Sequence, residues 1–137
     1  MVFATIQRYN ELRYDESALK RLTGLKQEAF EALAVPFKEQ WEAYLSKFTL
    51  EGVPRVRQMS VRKNSIFADP KDALLFGLIY LKGNINQEKL AISFGIDQPK
   101  TSKYLALIQR LILQVLEANP RILPRQKRAK IIDSINV

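Results

Sequence analysis

Residues 87–104 read Gln-Glu-Lys-Leu-Ala-Ile-Ser-Phe-Gly-Ile-Asp-Gln-Pro-Lys-Thr-Ser-Lys-Tyr, and no other stretch restricts the fold as strongly. The spacing predicts two helices joined by a tight turn. Ala91 is small where two helices crossing at close range leave no room for a longer side chain. Four residues on, Gly95 can take the positive φ that ends a helix and turns the chain. Asp97 is then placed to cap the second helix through its side-chain oxygen. Leu90, Phe94, Ile96 and Tyr104 fall on the sides that would face a third helix. Those offsets are those of a helix-turn-helix, whose second helix lies in the DNA major groove. An ordinary helical hairpin would need only the apolar pattern, and the surrounding charge separates the two readings.

The net charge is +8. Residues 1–50 hold seven Lys/Arg and seven Asp/Glu, so the whole excess lies in residues 51–137, the part that carries the two-helix pattern. Such asymmetry favours a polyanionic partner on that side. There is no Cys and no His, which excludes disulfides, thiolate chemistry, Cys/His zinc sites and His-based triads. At 137 residues and 47% hydrophobic, the chain suits one domain with a substantial core. Its longest apolar run, residues 73–81 with Gly77 counted as neutral, is far too short to span a membrane. The early Arg8 argues against a signal peptide, and the expected location is cytoplasmic and nucleoid-associated.

Elsewhere the pattern is helical and shows no strand alternation. Asp15-Glu16-Ser17 opens a short helix that Thr23-Gly24 interrupts. From Lys26 apolar residues recur at three and four through Trp41, Tyr44 and Phe48, predicting a long helix ending near Gly52, kinked or divided at Pro36. Trp41, Tyr44 and Phe48 follow core spacing rather than that of a base-stacking platform. Residues 52–69 read as a basic connector. Asp69-Pro70 then starts a helix that is apolar almost all round, the element expected at the centre. The acid pairs Asp15/Glu16 and Asp69/Asp72 stand at helix starts, where capping accounts for them. Asn86 can cap the first helix of the pair, and the second should run to Asn119-Pro120. The expected fold class is all-α with five or six helices: an N-terminal arm (1–14), a helical domain (15–119) and a basic tail or truncated linker (120–137).

On the last long helix, the inward stripe is Thr101, Tyr104, Leu105, Ile108, Leu111, Ile112 and Val115. Pro99, Ser102, Lys103, Ala106, Gln109 and Arg110 are left outward, with Gln98 and Lys100 flanking them in the first turn. Gln pairs with adenine, Lys donates to guanine, and Ser reaches either a base or a phosphate. These residues, with Arg55, Arg57, Arg62 and Lys63 of the connector, are the candidate DNA contacts. Arg121, Arg125, Lys127, Arg128 and Lys130 read as a disordered arm adding nonspecific affinity, or as a linker. Leu107 and Leu113, off the stripe, would suit contact with a second subunit or another domain.

Two segments together resemble a known family. Leu-Thr-Gly-Leu-Lys-Gln-Glu-Ala-Phe-Glu-Ala-Leu at residues 22–33 is similar to the opening of the N-terminal domain of bacterial insertion-sequence transposases of the DDE type. Residues 69–112 resemble that family's central helix and the helix-turn-helix after it. The resemblance spans residues 22–118 and implies recognition of terminal inverted repeats in double-stranded DNA. It also implies that cutting and joining belong to a separate RNase-H-like domain with three carboxylates and two metal ions, expected to be absent here. Asp133 could stand in the place of the first of those carboxylates, on a strand begun by Ile131-Ile132, but one acid cannot hold a metal pair. No catalysis, cofactor or metal is therefore expected of this chain. Duplex DNA is its expected partner, with a catalytic transposase domain or a second copy as further ones. A free-standing transcriptional regulator, or a first reading frame completed by fusion, are the alternatives.

Overall fold

The structure is a computed structural model that describes residues 8–54, 67–83 and 85–136. The described residues form seven α-helices: α1 (Tyr9–Leu12), α2 (Glu16–Thr23), α3 (Gln27–Lys47), α4 (Pro70–Lys82), α5 (Gln87–Phe94), α6 (Gln98–Ala118) and α7 (Arg125–Ile135). Among them there is no strand, only an isolated bridge between Phe48 and Pro54. The class is all-α. No described helix is long and apolar enough to cross a membrane.

Local chemistry sets most of the boundaries. Asp15, Asp69, Asn86 and Asp97 each accept a first-turn N–H at 2.9–3.1 Å, which satisfies one of the donors that a helix start leaves unpaired. Gly24, Gly83 and Gly95 close α2, α4 and α5 in the left-handed conformation. α3 runs through Pro36 as a single element and is not divided there.

α4 is the hub, as its all-round apolar surface predicts. Residues 73–79 are all buried, and α1, α2, α3, α5, α6 and α7 all pack on it. Its contact with α6 is tight at Gly77. A Cβ built on Gly77 would lie 2.4 Å from Ile108 Cγ2, so only glycine allows the two helices to meet there. A cluster of rings fills the space between α3, α4 and α6: Trp41 stacks near Tyr104, and Phe67 meets Phe76 and Tyr104.

Both ends of the chain depart from expectation. The N-terminal arm contains α1, with Tyr9 and Leu12 buried. The Tyr9 N–H donates to Asp72 at 2.8 Å, and its hydroxyl donates to Glu31 at 2.6 Å. Four residues are too few to show a helical period, so nothing local marks this element. The expected tail is likewise structured. α7 packs on α4 and α6, Leu123 and Ile131 are buried, and the Arg128 guanidinium donates to the Leu116 carbonyl. Ile131-Ile132-Asp133 lies within this helix and not on a strand. The two added helices account for the count of seven.

Candidate nucleic-acid interface

α5, the turn at residues 95–97 and α6 form a compact unit whose geometry follows from its residues. At the end of α5 the Ile96 N–H reaches back to the Ala91 carbonyl at 2.9 Å, and the Gly95 N–H to that of Ile92 at 3.2 Å. This paired closure requires a left-handed residue, and Gly95 supplies it at φ +69°. Leu90, Ala91, Phe94 and Ile96 are buried beneath the turn. Arg8 braces the same end: its guanidinium donates to the Phe94 carbonyl at 3.3 Å and lies over the Phe94 ring, 4.9 Å from its centroid. A cation there complements the negative end of α5. Asp97 then starts α6 by accepting the Lys100 N–H at 2.9 Å.

The consequence is an exposed first turn on a fixed base. Gln98, Pro99, Lys100, Ser102 and Lys103 are all exposed, while Thr101 and Leu105 point inward and are buried. This turn projects polar and cationic side chains from a helix whose other end is anchored by Leu111, Ile112, Val115 and Leu116. No acid stands in the first turn of α6 itself, and the Asp97 carboxylate at its cap already meets the positive end of the helix.

Farther along, the outward face is more crowded than the sequence implies. Lys103 Nζ lies 3.2 Å from Glu51 Oε1. The Arg110 guanidinium sits over the Tyr44 ring, 5.1 Å from its centroid. Tyr44, Leu50, Glu51, Gly52, Lys103, Ala106 and Arg110 line a hollow of about 350 Å³ between α6 and the turn after α3. Gln109 is half-buried. The freely presented candidates are therefore Gln98, Pro99, Lys100 and Ser102, with Lys103 and Arg110 already engaged. Leu107, expected to be available to a partner, is buried at 3% exposure in the core, and Leu113 is half-buried.

No protein-family model, curated protein or solved structure matches the chain, so what this surface can bind has to follow from its own geometry.

Arg55, Arg57, Arg62 and Lys63 lie outside the described residues. The expected tail bases lie elsewhere on the molecule. Lys127 and Lys130 of α7, with Lys82 of α4, border a second hollow of about 390 Å³ floored by Leu25, Leu78 and Ile131. α7 packs on the buried end of α6, on the order of 20 Å along the axis from the exposed first turn at 1.5 Å per residue. Arg128 is committed to the Leu116 carbonyl. Sequence reasoning missed Glu51, Tyr44 and Arg8 as parts of the site. Their partners are distant in the chain and no local spacing could announce them.

Proposed function

We propose that this chain is a sequence-selective duplex-DNA-binding module in which α5 and α6 act as a helix-turn-helix and the first turn of α6 enters the major groove. One observation carries the reading. The turn bearing Gln98, Lys100 and Ser102 is exposed and anchored at its base by the Gly95 closure and the Asp97 cap. Those side chains have the donors and acceptors that read base edges, and their helix is held rigid by its buried half. The excess positive charge of residues 51–137 supplies the sequence-independent attraction.

Within that reading, recognition of the terminal inverted repeats of an insertion element is the specific role proposed, by resemblance to transposase N-terminal domains. The chain would act by binding, without catalysis of its own. Two-metal chemistry needs clustered carboxylates, and among the described residues no three Asp or Glu side chains come together. Asp69 and Asp97 are spent on capping, and Asp72 accepts the Tyr9 N–H.

The test is a salt titration of binding to a labelled duplex. If about three to five phosphates are neutralised, log affinity should fall with log salt at a slope of about −3 to −5. A slope near zero would remove the nucleic-acid reading altogether.

A further inference from the structure

One side chain at the candidate interface has the wrong sign for a phosphate-binding surface. Glu51 extends toward α6 from the turn that follows α3, and its carboxylate meets Lys103 at 3.2 Å with both side chains about half exposed. Its position is not accidental to a loose loop. The Thr49 N–H donates to the Val53 carbonyl at 2.8 Å, and the Gly52 N–H donates to the Thr49 carbonyl at 2.9 Å. Thr49 Oγ1 accepts the Val53 N–H at 3.1 Å, Phe48 bridges to Pro54, and Gly52 provides the left-handed residue at φ +84°. A turn with this many internal bonds presents Glu51 at a set place. Arg110 is turned onto Tyr44 near the end of α3, so Lys103 and Arg110 are both held from the same side of α6.

An exposed pair of this kind contributes little to stability. Its effect on a polyanion is larger in consequence. While Lys103 is paired with Glu51 its charge is already balanced, and the pair as a unit carries no net charge with which to displace counterions. Nonspecific binding is made almost wholly of phosphate contacts, whereas specific binding adds base contacts that fix the register of the helix in the groove.

Resting on the DNA-binding reading, we infer that Glu51 is a discriminating residue. It withholds Lys103 from phosphates and repels backbone that slides toward the middle of α6, which weakens complexes lacking base contacts to Gln98, Lys100 and Ser102. The penalty falls mainly on random sequence. In a register set by base contacts, the phosphates stay on the first turn and away from the carboxylate.

The experiment compares the whole chain with its Glu51→Gln variant on two 20-base-pair duplexes, one recovered by repeated selection with the wild-type chain from a random pool and one scrambled. Glutamine keeps the shape and removes the charge. Affinity for the scrambled duplex should rise about three- to tenfold, with its salt slope steeper by about 0.9 as one more phosphate is engaged. Affinity for the selected duplex should change less than twofold. In a Lys103→Met background the same substitution should yield less than half of that gain, because part of the effect passes through the lysine. Equal tightening on both duplexes would overturn the inference, as would unchanged binding to the scrambled one. Loss of affinity for the selected duplex would overturn it too, since Glu51 would then be reading a base. A wild-type chain that binds neither duplex would instead bring down the DNA reading, and this inference with it.

Discussion

The first turn of α6 carries the base Lys100 and the helix α7 carries four, and the fold treats them differently. At the start of α6, Gln98, Lys100 and Ser102 stand clear of the protein on a helix whose inward side is buried. In α7, Ile131 is buried, Arg128 is spent on the Leu116 carbonyl, and Lys127 lines a hollow with an apolar floor. Lys100 and its polar neighbours are presented outward by packing; the bases of α7 partly serve the packing. A count of positive charge does not distinguish a reading surface from a structural one, but the partners of each side chain do.

The most damaging way to probe this difference is to disturb what holds α6 in place. Gly77→Ala puts a methyl group 2.4 Å from Ile108 Cγ2. Overpacking of this sort costs about 1–3 kcal/mol, and the helix-propensity gain of Ala over Gly, about 1 kcal/mol, offsets only part of it. Thermal or urea unfolding should show a clear loss. A variant as stable as the wild type would mean that the α4–α6 crossing is looser than the Gly77–Ile108 approach implies.

Next in size, Lys100→Ala with Ser102→Ala should cost about 1–3 kcal/mol for each base-edge interaction removed and erase most of the preference for a selected duplex over a scrambled one. The unfolding midpoint should barely move, because both side chains are exposed. Preference surviving this double change would show that reading occurs elsewhere.

Asp72 gives a test by pH at the base of the structure. Burial pushes its carboxyl above the usual carboxylate range, against the bond from the Tyr9 N–H and the nearby Arg8. The fold thus favours the protonated form. Its contribution to stability is full below the ordinary carboxylate pKa and declines as pH rises through the raised value. Asp72→Asn keeps an acceptor without the charge, so it should equal or exceed the wild type at pH 7, with the difference shrinking toward acid. Asp72→Ala removes the acceptor and should be less stable than either. Denaturant curves at two pH values would show whether the asparagine variant instead loses stability at neutral pH.

The smallest effect belongs to α7. Replacing Arg125, Lys127 and Lys130 by alanine, and leaving the structural Arg128 intact, should weaken scrambled and selected duplexes alike by no more than about tenfold, with a shallower salt slope. Loss of sequence preference in this variant would invert the comparison between the two helices.

Much of the fold was determined locally and could be read without the structure. A capping side chain acts within three residues and a left-handed glycine within five, so the starts at Asp15, Asp69, Asn86 and Asp97 and the stops at Gly24 and Gly95 were legible. The apolar stripe of α6 and the all-round apolar surface of α4 likewise placed the core. Only the tertiary structure decided which of the outward residues stay available. Lys103 meets a carboxylate 52 positions away, and Arg8 braces the turn from 86 positions away. Leu107 is buried although it lies off the stripe, since the core reaches farther around α6 than its inward stripe does. α1 and α7 are helices held largely by what they pack on, four and eleven residues long and so marginal alone. Pairings of that range depend on where the chain returns in space, and no periodicity within a helix records it.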